Sequence, residues 1–140
     1  FASANSSVGS ISVTQSYADY AKQNEREGVT YNVLSTGIFK DAGAADKALT
    51  AEERAIFMRD LRTLHDHFVA TIAQRRNLPR EEVQKIAYGS TVLGEQAKAL
   101  GLIDDIGGLF EAEQYLGQAI GEPIVTCWAN DPAYPSAPTE

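Results

Sequence analysis

The chain has 140 residues, of which 44% are hydrophobic and 22% are charged, and this length and composition indicate one ordinary globular domain. Its 19 acidic and 12 basic residues give a net charge of −7, which disfavours nucleic acid and anionic lipid as partners because both require a basic surface. The single cysteine, Cys127, excludes an internal disulfide, and no run approaches the roughly 18 apolar residues of a membrane span. We therefore expect any membrane anchor to lie outside this chain.

The first third of the chain predicts a strand, a helix and a second strand. Residues 8–13 alternate apolar and small polar side chains, which is typical of a strand with one buried face. A helix is predicted over residues 15–27, and Gly28 follows where a left-handed cap is needed. Alternating apolar residues then predict a strand over residues 29–34, which leads the chain to Lys40.

A capping box predicts the start of a long helix at Thr50. In such a box the threonine oxygen and the Glu53 carboxylate accept hydrogen bonds from each other's backbone N–H groups. Apolar residues follow three or four positions apart, and Asn77 and Pro79 predict the end of the helix. This apolar stripe consists of Phe57, Leu61, Leu64, Phe68 and Ile72.

The second half of the chain predicts short alternating elements. These are a helix around Val83, a helix over residues 94–100, a turn over 102–108, a helix carrying Leu109, Leu116 and Ile120, and a last strand over 124–128. The alternation predicts an α/β fold with a mostly parallel sheet and crossover helices. Because three strands are too few to cover such apolar helices, we expect the sheet to be incomplete in this chain and to be completed by other segments or neighbouring protomers.

Five short motifs follow one another along the chain. They are Val8-Gly9-Ser10-Ile11, Thr36-Gly37-Ile38-Phe39-Lys40-Asp41, Leu49-Thr50-Ala51-Glu52-Glu53-Arg54, Arg76-Asn77-Leu78-Pro79, and Gly94-Glu95-Gln96-Ala97 with Gly101-Leu102-Ile103-Asp104. In this order the motifs resemble those of the signal peptide peptidase A family of serine proteases. The resemblance implies the Clp protease/crotonase-like fold, with residues 1–128 as the later part of the protease domain and 129–140 as a flexible Pro-rich tail.

Lys40 and Ser10 are the candidate catalytic residues. The resemblance implies a serine–lysine dyad in which Lys40 is the general base and Ser10 hydrogen-bonds and orients its amine. It places the nucleophile serine in a Ser-Gly-Gly turn upstream of Phe1, so we expect this chain alone to be inactive. The expected partners are a peptide substrate and either further copies of the chain or a serine-bearing segment. Ser12 stands where the family pattern has glycine.

A lysine base has to be neutral, and the surroundings of Lys40 act on its charge in opposite directions. Desolvation by Ile38 and Phe39 would favour the neutral amine, whereas the Asp41 carboxylate would favour the ammonium. In an extended segment, however, the side chains of residues 40 and 41 point to opposite sides. Without the motifs, a solvated loop lysine is the ordinary interpretation of Lys40.

The other candidate residues favour structural roles. Ser6, Ser7 and Ser12 are not surrounded by the sharp turn of a nucleophile. His65 and His67 lie two positions apart on a helix and therefore face different directions, which does not fit a metal site. No glycine-rich nucleotide fingerprint follows a predicted strand, so the sequence predicts no cofactor.

The resemblance implies a serine endopeptidase that hydrolyses signal peptides or other extended apolar peptides, bound as an added strand. It also implies association with a bacterial cell membrane, with the catalytic domain outside the cytoplasm. Two alternatives stay open: a non-catalytic assembly or scaffold subunit of the same fold, and a phage head-maturation protease that acts on scaffold protein.

Overall fold

The computed structural model describes residues 1–124 and residue 126 as a mixed α/β structure. Within this part of the chain, two short strands, β1 (Ser7–Gly9) and β2 (Thr91–Leu93), pair in a single sheet. An isolated parallel bridge joins Ala2 to Ile106. The helices are α1 (Ala21–Glu27), α2 (Ala51–Arg76), α3 (Arg80–Ile86), α4 (Gly94–Ala99) and α5 (Leu109–Ile120).

The described chain divides into two compact units. The first combines residues 1–8 with the described residues from 91 onward, and the second comprises residues 9–90. In the second unit α2 packs against α3, and the buried apolar side chains are Ile11, Val69, Val83 and Ala87. In the first unit β2 contacts α4, where Ala97 is fully buried. Most of the predicted strand over 124–128, and all of the predicted tail over 129–140, lie outside the described residues.

Helix α2 confirms the predicted start and end of the long helix. Glu53 N donates to Thr50 Oγ1 over 3.1 Å, and Thr50 N donates to Glu53 Oε2 over 3.0 Å, so both hydrogen bonds of the capping box form. At the other end Asn77 adopts the left-handed conformation with φ 51° and terminates the helix. Two members of the predicted apolar stripe, Leu64 and Phe68, are nevertheless exposed, because the seven-residue helix α3 can cover only part of the 26-residue helix α2.

Both strands predicted in the first third of the chain need correction. β1 ends at Gly9 because Ser10 has φ 55°, a left-handed conformation that cannot continue an extended strand. Residues 29–34 form no strand: they are exposed, and in the described part of the chain no neighbouring strand pairs with them. Val29 instead donates its backbone N–H to Asn24 O over 2.9 Å, and so completes the cap of α1.

Helix α1 is shorter than predicted. It begins at Ala21, whose backbone N–H donates to Asp19 Oδ1 over 2.9 Å, rather than near residue 15. An aspartate that accepts a backbone hydrogen bond two residues ahead favours a turn or a helix start, so the chain before it stays non-helical. The predicted cap is confirmed, since Gly28 has φ 68° and its N–H bonds to carbonyls of the last turn.

A buried carboxylate ties the segment before α2 to the first turn of that helix. Glu53 is 2% exposed, and its Oε1 accepts a hydrogen bond from Lys47 Nζ over 2.6 Å. Lys47 Nζ also lies 3.0 Å from Asp41 Oδ2. We call the group formed by Asp41, Lys47, Thr50 and Glu53 the Glu53 cluster. A carboxylate removed from water needs such partners, and each oxygen of Glu53 has one.

Gly94 is required by a close approach of two backbone segments in the first unit. Its N–H donates to Ala4 O over 3.1 Å, and a Cβ atom at Gly94 would lie 2.1 Å from Ser3 O. Ala97, one turn further along α4, is fully buried. The first and last residues of the Gly94–Ala97 motif therefore have a packing role.

We expect Gly94→Ala to lower the free energy of unfolding by about 1–3 kcal/mol, because the new methyl group overlaps backbone atoms that have to move. This loss exceeds the gain in helix propensity, which is at most about 1 kcal/mol. Urea denaturation followed by circular dichroism measures the change. Gln96→Ala, at an exposed position of the same helix, is the control and should stay within about 0.5 kcal/mol of wild type. Equal stability of the Gly94 variant and wild type would contradict the close approach.

The Glu53 cluster predicts a pH dependence of stability. The hydrogen bond from Lys47 lowers the pKa of Glu53 below its ordinary value of 4.5, and that of Asp41 below 3.8. A carboxyl group whose pKa is lower in the folded state stabilises the fold above its ordinary pKa, and this contribution is lost as the pH falls through the folded-state value.

We therefore expect the urea midpoint of wild type to fall as the pH is lowered below about 4.5. Glu53→Gln should be less stable at neutral pH and should lose less stability on acidification. The exposed Glu95→Gln serves as the matched control and should follow wild type. If the midpoints of wild type and Glu53→Gln decline in parallel, the ion pair does not contribute as described.

Candidate functional site

Ser10 lies directly after β1 in a strained backbone conformation. Its φ of 55° follows the φ of 129° at Gly9, so two successive residues occupy the left-handed half of conformational space. For a residue with a side chain this costs about 1–2 kcal/mol, and strain of this kind is often found at functional sites. Ser10 N donates to Ser90 O over 2.8 Å, which holds the strained residue in place, while its side chain is exposed.

The turn at residues 89 and 90 supports Ser10 and Ser12. A Cβ atom at Gly89, which has φ 89°, would lie 3.3 Å from Ser12 Cβ. Because Gly89 has no side chain, the Ser12 side chain has room beside it.

Lys40 lies in an exposed loop of successive turns. Its backbone N–H donates to Gly37 O over 3.0 Å, and Ser35 Oγ donates to the same carbonyl over 2.9 Å. Ile38 is 84% exposed and Phe39 is 42% exposed, so the apolar surroundings expected for a neutral lysine are open to solvent within this chain. The loop therefore fixes the backbone at Lys40 and leaves the amine in water.

The two predicted catalytic residues, Ser10 and Lys40, are not hydrogen-bonded to each other in the described part of the chain. Ser10 and Lys40 belong to the same compact unit, but in the part of the chain that is described no hydrogen bond joins Lys40 Nζ to Ser10 Oγ. Their roles as orienting residue and general base stay predictions.

The negative charge next to Lys40 is taken up by a different lysine. The Asp41 carboxylate pairs with Lys47, which lowers the pKa of that carboxyl group. Asp41 and Lys47 also line a surface depression of about 510 Å³, together with residues of α1 and of the segment 29–33. The carboxylate that follows Lys40 is thus paired with Lys47, which also pairs with the buried Glu53.

Sequence reasoning missed Lys47 and the burial of Glu53. The capping box was a signal for the backbone hydrogen bonds of Glu53, but it says nothing about a lysine partner. Lys47 stands among alanines and Asp46, without a helical or strand pattern that would place its side chain. The strain at Ser10 was missed for a similar reason, since a serine after a glycine carries no left-handed signal.

A groove of about 620 Å³ lies along the chain that follows Ser10. Its lining combines residues 12–15 with apolar and charged side chains of α2, among them Met58, Leu61, Arg62 and Asp66. The groove has the mixed lining, apolar with a few polar groups, that is typical of binding sites for small or extended ligands.

One of the two histidines, His65, has a structural role. His65 Nε2 donates to Ala87 O over 2.9 Å, which links α2 to the end of α3, and His67 is exposed.

Over residues 1–124 and 126, no group of three or more His, Cys, Asp or Glu side chains is placed to hold a metal ion. None of the helices in this same part of the chain is long and apolar enough to cross a membrane. Cys127 lies outside the described residues.

The chain is similar to proteases from several organisms. A candidate protease of Synechocystis sp. is 33% identical over 114 residues, which is 81% of this chain and 41% of that protein. A candidate signal peptide peptidase of Enterococcus faecium is 32% identical over 107 residues, 76% of this chain and 31% of that protein. The chloroplastic serine protease SPPA of Arabidopsis thaliana is 29% identical over 118 residues, 84% of this chain and 17% of that protein.

The chain thus spans less than half the length of these relatives. They confirm the resemblance to the signal peptide peptidase A family. The model of peptidase family S49 matches residues 1–121, a range that contains both Ser10 and Lys40. Because this match covers most of the sequence, the chain belongs to peptidase family S49.

Proposed function

We propose that the complete protein is a serine endopeptidase of signal peptide peptidase type, in which Lys40 is the general base. The observation that carries this proposal is the match of peptidase family S49 over a range that includes the lysine motif Thr36–Asp41 and Ser10. The names of the relatives from Enterococcus faecium and Arabidopsis thaliana support a peptidase and a serine protease. The proposed fold of the complete domain is the Clp protease/crotonase-like fold.

In this mechanism the nucleophile serine belongs to the Ser-Gly-Gly turn expected before residue 1. Its hydroxyl oxygen attacks the carbonyl carbon of the scissile peptide bond while the neutral amine of Lys40 accepts the hydroxyl proton. The amine then returns this proton to the leaving nitrogen, and water hydrolyses the acyl-enzyme ester in a second step. Ser10 hydrogen-bonds the Lys40 amine and orients it.

A lysine can act as a general base only if its pKa falls from the ordinary value of about 10.4 toward 7 or 8. Desolvation lowers the pKa of a lysine, and the exposed side chains of Ile38 and Phe39 supply the apolar surface next to it. We propose that a further segment, a neighbouring protomer or the bound peptide covers this surface in the active enzyme. A homo-oligomer or a serine-bearing partner segment is accordingly part of the proposal.

The proposed substrate is an extended, largely apolar peptide such as a signal peptide. An extended peptide can bind as an added strand, with main-chain hydrogen bonds for affinity and side-chain pockets for selectivity. Two features of the second unit support this mode. The groove beside residues 12–15 begins two positions after Ser10, and residues 29–34 are an exposed segment with alternating apolar side chains.

A non-catalytic subunit of the same family is the second candidate. The exposure of Lys40, and the absence of a hydrogen bond between Lys40 and Ser10 in the described residues, favour it. Intact-mass spectrometry of the natural protein after treatment with a fluorophosphonate separates the two. An adduct on a serine supports the protease, whereas a protein that takes up no label and hydrolyses no peptide supports the scaffold.

In the natural full-length protein, we expect Lys40→Ala to lower kcat for hydrolysis of an apolar peptide by about 100-fold or more, because a general base contributes a factor of about 10²–10⁴. The fluorophosphonate reaction should slow in parallel. Lys22→Ala, at an exposed lysine of α1, is the matched control and should hydrolyse peptide at the wild-type rate. Retention of full activity by Lys40→Ala would refute the assigned base.

Ser10 offers a test in which stability and activity change in opposite directions. Ser10→Gly is expected to raise the free energy of unfolding by as much as about 1 kcal/mol, because glycine adopts φ 55° without strain although its unfolded chain has more entropy. The same variant should lose kcat because the orienting hydroxyl is removed. Ser10→Ala should lose kcat without the gain in stability. A Ser10→Gly enzyme with wild-type kcat would show that the hydroxyl does not orient Lys40.

A further inference from the structure

We propose that Lys47 is a positioning residue for Lys40: it holds the Asp41 carboxylate against the start of α2 and so keeps that negative charge from pairing with the neighbouring Lys40 amine. This inference rests on the proposed function, because it concerns the environment of the base in that mechanism. It assigns a role to a lysine outside the motif that carries the dyad.

The geometry of the Glu53 cluster gives Lys47 a fixed position. Glu53 is 2% exposed, and Lys47 Nζ donates to its Oε1 over 2.6 Å. Glu53 is in turn held by Thr50, whose backbone N–H donates to Oε2 over 3.0 Å. The ammonium group of Lys47 is therefore anchored to the first turn of a long helix by a buried carboxylate.

This anchored ammonium group then determines where the Asp41 carboxylate points. Asp41 Oδ2 lies 3.0 Å from Lys47 Nζ, and about three quarters of the Asp41 side chain is shielded from solvent. A carboxylate that pairs with a fixed cation loses most of its freedom to turn toward a second one. Asp41 directly follows Lys40 in the chain, so the orientation of its carboxylate decides whether Lys40 has an ion-pair partner.

An ion pair between Asp41 and Lys40 would oppose the proposed chemistry. An opposite charge within about 4–6 Å favours the charged form of a lysine, whereas a general base has to be neutral. By pairing with Asp41, Lys47 both occupies the carboxylate and compensates its charge. The neutral form of Lys40 thus requires less desolvation than it would beside a free aspartate.

The other charged side chains around Lys47 are acidic, so Lys47 compensates more than one negative charge. Its side chain borders the 510 Å³ depression, whose other ionisable lining residues are Glu25 on α1, Tyr31 on the segment 29–33, and Asp41 and Asp46 on the loop itself. Among the described residues that line this depression, Lys47 is the sole cation. With Glu53 on α2 included, removal of the Lys47 charge would leave four carboxylates near the loop that carries Lys40.

The test is the pH profile of kcat/KM for peptide hydrolysis by the natural full-length protein. In Lys47→Gln, Asp41 is free to pair with Lys40, so we expect the acidic limb of the profile to move upward by about one pH unit. At a pH on that limb, kcat/KM should fall about tenfold. Lys47→Arg keeps the cation and should restore the wild-type profile.

The double variant Lys47→Gln/Asp41→Asn distinguishes positioning from a merely structural role. It lacks the carboxylate that Lys47→Gln sets free, so its acidic limb should return to the wild-type pH. Lys98→Gln is the matched control, because it breaks the exposed pair between Lys98 and Asp105 in the other compact unit, and it should leave the profile unchanged. An unshifted limb in Lys47→Gln, or a loss of activity that Asp41→Asn does not reverse, would overturn the proposal.

Lys47→Gln leaves the buried Glu53 without its cation and could therefore fail to fold. In that case Lys47→Gln/Glu53→Gln removes the unpaired charge while still releasing Asp41, and the same upward shift is expected. If this second variant shows the wild-type limb, Lys47 does not position Asp41.

A direct titration separates failure of this inference from failure of the proposed function. The rate of acetylation of Lys40 by acetic anhydride, read by peptide mass spectrometry across the pH range, reports its pKa without any need for catalysis. The midpoint should rise in Lys47→Gln and return in the double variant with Asp41→Asn, even if the wild-type protein hydrolyses no peptide. An unchanged midpoint overturns the role of Lys47, whereas a shifted midpoint in an inactive protein overturns the protease alone.

Discussion

The burial of one carboxylate, that of Glu53, is the constraint on which the segment around the candidate base depends. A carboxylate without water has to recover its lost hydration from protein donors, and here Lys47 and the backbone N–H of Thr50 supply them. The same interactions close the start of α2 and draw the preceding loop onto it. Asp41 is held by the shared ammonium group of Lys47. Through Lys47, the capping motif of α2 thereby holds the negative charge of Asp41, the residue that directly follows Lys40.

The two candidate catalytic residues are held in different ways. Ser10 has a left-handed backbone and a backbone hydrogen bond to Ser90 directly after β1, and its side chain is exposed. Lys40 lies on an exposed loop whose apolar neighbours face solvent. A lysine that acts as a general base has to be neutral, and desolvation favours the neutral amine, so the proposed chemistry requires a surface that covers Ile38 and Phe39. The proposed assembly or partner segment would supply both this cover and the nucleophile.

Several small residues, among them Gly94 and Ala97 of a family motif, have a packing role in this structure. Gly94 allows two backbone segments to approach within a distance that no side chain permits, and Ala97 fills a fully buried position on the next turn. Gly89 makes room for Ser12 beside the strained Ser10. These small residues are explained by steric limits, while Ser10 and Lys40 are exposed polar residues that the packing does not explain. The functional interpretation of Ser10 and Lys40 therefore rests on the motifs and on the match to peptidase family S49.

The sequence by itself determined the features that depend on neighbouring residues: the capping box of α2, the ends of this helix at Asn77 and of α1 at Gly28, and the motifs that identify the family. It could not determine features that need partners distant in the chain or a backbone state without a residue signal. The strand predicted over residues 29–34 does not form, because an alternating pattern becomes a strand only when another strand accepts its hydrogen bonds. The tertiary structure decided the ion pairs of Lys47, because the buried Glu53 carboxylate needs a cation as its partner. It also decided the conformation of Ser10, which is held by the backbone hydrogen bond to Ser90.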